Sequence, residues 1–163
     1  MALDVGADYP GGEVLTMGAN GPEAVDLGEK LKGRKVVIFA LPGAFTGTCS
    51  TAHFPSFVRT AGELKEKGVA EIICLAVNDP FTLSAWGKQL GGEEAGITML
   101  ADPEGKVTKA AGMEFSAPPV GLIGRSKRYV VVVEDGKITH VGEEPAPGQC
   151  DISSGESVLK ALG

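Results

Sequence analysis

Two short β-branched runs on either side of one helical stretch constrain this chain more than any other feature. Residues 35–40 (KVVIFA) lie between Gly33 and Pro42, and residues 71–77 (EIICLAV) have the same character. Apolar runs of this length, bounded by turn residues, read as buried strands. Between them Phe54, Phe57, Val58, Ala61 and Leu64 recur at three- and four-residue spacing within 48–67, the period of an amphipathic helix. A helical crossover between two strands favours parallel pairing.

The rest of the chain extends this pattern. Residues 128–133 (RYVVVV) and 137–141 (KITHV) are joined by Glu134-Asp135-Gly136. Asp-Gly between two such runs signals a hairpin, which is necessarily antiparallel. Leu83, Trp86 and Leu90 form a helical stripe after Asn78-Asp79-Pro80, a cap followed by proline in the first turn. Asp102-Pro103 opens a third, short helix in the same way. Ser153 and Glu156 have capping-box spacing ahead of Val158, Leu159 and Leu162. The order strand, helix, strand, helix, strand, helix, hairpin, helix predicts an α/β fold with a mixed central sheet and helices on both faces. A length of 163 residues with 43% hydrophobic content fits one domain over residues 1–163. The longest irregular segments are expected at 117–127 and 142–151.

The formal charge of -6 argues against a nucleic-acid or anionic membrane surface, because both need basic patches. No apolar run is long enough to span a bilayer. Met1-Ala2-Leu3-Asp4-Val5 has neither a secretory nor a transit pattern. The expected compartment is the cytoplasm, or the mitochondrion or another organelle if a leader precedes the sequence. Three cysteines, an odd number, suit reduced thiols better than a disulfide framework.

Cys49 ends the segment 42–49 (PGAFTGTC) and stands at the start of the predicted helix. Unpaired N–H groups and the positive end of the helix dipole favour a thiolate there, and the thiolate is the nucleophilic form. Thr46 is placed to donate a hydroxyl hydrogen bond to the sulfur or to a bound oxygen. The backbone N–H groups of Thr48 and Cys49 are placed to hold a polarised oxygen. Pro42 and Phe45 are expected to wall the pocket against water. On placement alone, a small cysteine capping a helix is an equal alternative.

The pattern Pro42-x-x-x-Thr46-x-x-Cys49 resembles the active-site motif of the peroxiredoxins. With residues 49–57 (CSTAHFPSF) and 71–81 (EIICLAVNDPF) it is similar to their type II, or peroxiredoxin-five, group. The likeness runs from about Val36 to the final helix. It implies a thioredoxin-like fold and reduction of hydrogen peroxide, alkyl hydroperoxides and peroxynitrite without a metal or organic cofactor. It makes Cys49 the peroxidatic cysteine, Thr46 the residue that hydrogen-bonds thiolate and peroxide, and Pro42 the shield of the sulfur. It also makes Arg128, in 125–137 (RSKRYVVVVEDGK), the arginine that lowers the thiolate pKa. Arg125 and Lys127 are read instead as a solvated turn. Gly47-Thr48 departs from the commoner family residues but keeps the spacing. The implied reductant is thioredoxin, or glutaredoxin with glutathione, and the implied assembly is a homodimer.

Peroxide attack leaves a sulfenic acid, which condenses with a second thiol. Cys150 follows 145–149 (PAPGQ) in a loop before the last helix, where animal members of the group carry the resolving cysteine. Cys74 lies 25 residues beyond Cys49, as in plant members, but in mid-strand, where core packing explains it. The order of preference is Cys150, an external thiol, then Cys74.

Other classes fit less well. Cys49 and His53 lie four apart, yet no second pair follows at zinc-site spacing. There is no Cys-x-x-Cys. Residues 28–35 (GEKLKGRK) miss the phosphate-loop signature and read as a charged helix end. A redox relay and a purely structural thioredoxin-like domain are the remaining alternatives.

Overall fold

The computed structural model describes residues 3–163. Met1 and Ala2, the first residues of the segment read for a leader, lie outside the described residues. The strands are β1 (Glu13–Gly18), β2 (Gly21–Asp26), β3 (Lys35–Ala40), β4 (Glu71–Ala76), β5 (Ile97–Ala101), β6 (Glu114–Ala117), β7 (Leu122–Ser126), β8 (Tyr129–Glu134) and β9 (Lys137–Glu143). The helices are α1 (Leu27–Leu31), α2 (Phe54–Glu66), α3 (Pro80–Gln89), α4 (Gly92–Ala95), α5 (Lys106–Ala110) and α6 (Gly155–Leu162). Seven strands form one sheet in the order β2-β1-β5-β4-β3-β8-β9, while β6 and β7 pair separately. β3, β4 and β5 are parallel, as the crossovers require, and the other neighbours are antiparallel.

Strand alternation divides the core into two layers. Val37, Phe39, Ile72, Cys74, Val130 and Val132 face a cluster that includes Phe54, Phe57, Trp86 and Val158 of the helices. Val36, Ile38, Ile73, Leu75, Val131 and Val133 face Leu27, Leu31 and Val107. The predicted mixed sheet with helices on both faces is therefore present. The loops after β3 and β4 leave the carboxyl ends of parallel strands, where α/β sheets place their sites.

The β8–β9 turn has φ of 48° at Asp135 and 79° at Gly136, the left-handed pair that a two-residue hairpin loop requires. Other local expectations need correction. The expected helix over 48–67 is divided: Cys49–His53 is a π-helical turn, and α2 proper starts at Phe54. Pro55 has no N–H to return to Thr51, so the ladder widens, and the Phe54 N–H reaches Cys49 O instead. The short third helix starts at Lys106, because the Asp102 carboxylate reaches across the turn to the N–H groups of Val107 and Thr108. Ser154, not Ser153, caps α6 by accepting from the Ser157 N–H. Glu156 pairs with Arg59 instead of closing a capping box. Much of the segment expected to be irregular at 117–127 is the β6–β7 ribbon.

Candidate active site

Cys49 is 1% exposed and opens the π turn. Its sulfur accepts a hydrogen bond from Arg128 Nη2 at 3.3 Å. Arg128 stands just before β8 and is itself 2% exposed. Its guanidinium is a permanent cation with a rigid fork of donors. Beyond the sulfur, that fork reaches the Pro147 carbonyl from Nε at 3.1 Å and from Nη2 at 2.9 Å, and His53 Nδ1 from Nη1 at 3.0 Å. Arginine can only donate, so Nδ1 accepts. The proton of the neutral imidazole is then on Nε2, which donates to the Ser153 carbonyl at 3.0 Å. Burial first, then the Arg128 charge, lowers the His53 pKa from 6.5 to about 3. Both ring nitrogens are engaged, which removes His53 from the metal-ligand pairing with Cys49 considered above.

The loop before Cys49 is braced from outside. The Thr46 hydroxyl donates to the Gly43 carbonyl at 2.7 Å, rather than to the sulfur as expected, so its oxygen is left as an acceptor. Asn78 Oδ1 takes the Ala44 N–H at 2.9 Å. Arg125 Nη1 donates to the Pro42 carbonyl at 3.0 Å. A side chain at position 43 would press on that guanidinium and push it off the Pro42 carbonyl. Arg125 is therefore part of the site's support, not only a solvated turn. Trp86 Nε1 donates to Ser50 Oγ at 2.9 Å and ties α3 to the turn carrying Cys49. Pro42 is buried. Phe45 departs from expectation: it is 55% exposed, with φ of 62°, and stands out in solvent. Among the described residues no acceptor engages the N–H of Thr48 or Cys49.

The other two thiols differ sharply, and all three are free. Cys74 is fully buried beside Phe39 in the same core layer as Cys49. Burial, then the neighbouring Cys49, pushes its thiol well up. Cys150 is partly exposed in the loop between β9 and α6. Burial pushes its thiol up as well, and Ser153 and Arg128 offset only part of this. That loop is held to the site by the Pro147 carbonyl on Arg128 and by the Thr48 hydroxyl, which donates to the Gly148 carbonyl at 3.1 Å. Sequence reasoning gave no site role to Asn78, Pro147 or Ser153, because they reach the site through contacts 34, 19 and 100 positions away.

A buried cysteine at a helix start, one guanidinium on its sulfur and a neighbouring loop with a second thiol sit on a fold of the thioredoxin-like class. The chain matches the Redoxin family over residues 5–159. It is 39% identical over 161 residues to peroxiredoxin-2C of Arabidopsis thaliana, covering 98% of each chain. Its fold is similar to reduced Prx3 of Vibrio vulnificus in complex with hydrogen peroxide: TM-score 0.91, 38% identity, 99% of each chain covered. It is likewise similar to peroxiredoxin 5 of Alvinella pompejana: TM-score 0.85, 32% identity, with 98% of this chain and 97% of that one covered. The chain belongs to the redoxin family and is a peroxiredoxin of the type II kind. Its relatives include chloroplastic and mitochondrial proteins, so family membership does not select a compartment. Among the described residues no helix is long and apolar enough to cross a membrane.

Proposed function

We propose that the chain is a thiol peroxidase acting in antioxidant defence, with Cys49 as the peroxidatic cysteine. The observation that carries this reading is the Arg128 guanidinium on the buried Cys49 sulfur, at 3.3 Å. A fixed cation there stabilises the thiolate and the negative charge that develops on peroxide oxygen. The thiolate attacks the nearer peroxide oxygen and the O–O bond breaks; the departing oxygen takes a proton and leaves as water or alcohol, or leaves as nitrite from peroxynitrite. Thr46 Oγ1, with its own proton on Gly43, accepts from the peroxide hydroxyl. The N–H groups of Thr48 and Cys49 donate to the reacting oxygen. The substrates are hydrogen peroxide, alkyl hydroperoxides and peroxynitrite.

Cys150 then condenses with the Cys49 sulfenic acid. Its partial exposure, in a surface groove of about 320 Å³ beside Thr51, Ser56 and Arg59, favours it over Cys74, which is sealed in a central strand. The same groove admits a reductant, thioredoxin or glutaredoxin with glutathione. The whole chain acts as one redoxin domain in the cytoplasm. Exposed Phe45, Phe81, Val120 and Ile123 supply an apolar surface for a homodimer. They flank residues tied to one another, since Asn78 holds Ala44 and Arg125 holds Pro42.

Peroxide consumption with each reductant system, compared between wild type and Cys49→Ser, tests the reading. Total loss in the variant is expected. Undiminished consumption would leave a structural thioredoxin-like domain as the better account.

A further inference from the structure

The loop that carries Cys150 is held at its two ends by groups of different kinds. Its leading part hangs on the thiolate site, through Pro147 O on Arg128 and Gly148 O on Thr48. Its trailing part hangs on Glu144, a carboxylate only 5% exposed. One oxygen, Oε2, accepts from Asp151 N at 2.7 Å, from Ser153 N at 2.8 Å and from Ser153 Oγ at 2.6 Å. Charge-assisted bonds of this kind are about twice as strong as neutral ones. The Glu144 N–H in turn donates to the Arg128 carbonyl at 3.0 Å, so the anchor and the catalytic arginine share one backbone junction. Ser153 Oγ stands 4.0 Å from the Cys150 sulfur, which places the anchor directly beside the thiol.

We propose that Glu144 is a positioning residue of the resolving step: it keeps the trailing end of the loop fixed while the leading end releases, so Cys150 pivots onto Cys49. The inference rests on Cys150 being the resolving thiol. The oxidation of Cys49 changes the charge that Arg128 faces and loosens the leading contacts. It leaves the three bonds to Glu144 untouched. In the step itself the Cys150 sulfur attacks the Cys49 sulfur. The S–O bond breaks, hydroxide leaves as water with the thiol proton, and the S–S bond forms without an outside electron donor. Without the anchor, Cys150 would search a wider volume, and the sulfenic acid would persist.

The test is rapid chemical quench of the full reduced chain with hydrogen peroxide, followed by alkylation and mass spectrometry, for wild type, Glu144→Ala and Glu144→Gln. Loss of the Cys49 thiol should be equally fast in all three, which also shows that the variants are folded. Disulfide formation should slow at least about ten-fold in Glu144→Ala, the scale of a misplaced reacting group, and excess peroxide should drive Cys49 on to sulfinic acid. Glu144→Gln should restore most of the rate, because all three bonds fall on one oxygen and an amide oxygen can accept them. Disulfide formation at the wild-type rate in Glu144→Ala, or equal slowing of both steps, overturns the inference. A wild type that forms no Cys49–Cys150 bond overturns the resolving role of Cys150 itself, and this inference with it.

Discussion

Arg128 serves the Cys49 sulfur, His53 and the Pro147 carbonyl with one planar fork. Removing it leaves the reacting sulfur without its cation, so Arg128→Gln should slow peroxide attack by about 10²–10³-fold, the range for loss of one preorganised donor. Arg128→Lys should not restore the rate, since an ammonium on a flexible stem cannot hold the three directions together. Stopped-flow consumption of Cys49 thiol measures both, and a near-normal rate in either variant contradicts this role. His53 predicts a pH effect whose sign follows from its burial. Its folded pKa, about 3, lies below the ordinary 6.5. As pH falls through that window the unfolded chain takes up a proton that the folded chain refuses, so stability is present above 6.5 and drains towards 3. The slope is at most about 1.4 kcal/mol per pH unit. Urea titrations should show a shallower acid loss in His53→Gln, and identical slopes would refute the neutral assignment. Pro42, Thr46 and Cys49 stood out in the sequence by their spacing, and Arg128 through the likeness of its segment to the family. The support that Arg125 gives Pro42 was not legible there, because the two lie 83 positions apart.

The parallel crossover and the β8–β9 hairpin were readable at the level of elements, since β-branched runs and Asp-Gly are strong local signals. β1 and β2 were not singled out, because neither carries a continuous apolar run: β1 is mostly half-buried and β2 is largely exposed. Where the sequence offered neighbouring cap candidates, tertiary contacts chose between them. The Ser153 hydroxyl is committed to Glu144, so Ser154 caps α6. The π turn at Cys49–His53 likewise follows from Pro55, one residue that a periodicity count overlooks. Position on β4 also decides what Cys74 does. Its thiol lies wholly in the core, and burial holds it protonated. Cys74→Ser should keep peroxidase turnover but lose about 1–3 kcal/mol of stability, because a buried hydroxyl without a partner is costly. Turnover that collapses with the fold intact would give Cys74 a part in the chemistry.

The molecule divides its labour across one sheet. The layer containing α2, α3 and α6 surrounds Cys49, while the opposite layer, with α1 and α5, closes the far face. The loops leaving β3 and β4, the residues before β8 and the segment after β9 are linked around Cys49: Asn78 holds Ala44, Arg128 reaches the sulfur, and the Pro147 carbonyl holds Arg128. The exposed apolar residues beside this convergence predict that Phe81→Asp shifts the chain from dimer to monomer in sedimentation velocity. A wild type that sediments as a monomer would remove the homodimer. In the proposed cycle Cys49 is the sulfur that peroxide oxidises, and Cys150 is the thiol that resolves it. Treating the reduced chain with one equivalent of hydrogen peroxide and mapping the bonds by mass spectrometry, in wild type, Cys74→Ser and Cys150→Ser, tests it most directly. An intramolecular Cys49–Cys150 disulfide that survives Cys74→Ser, with Cys49 sulfenic acid in Cys150→Ser, is the predicted result. Oxidation that spares Cys49, or a disulfide that excludes Cys150, would contradict it.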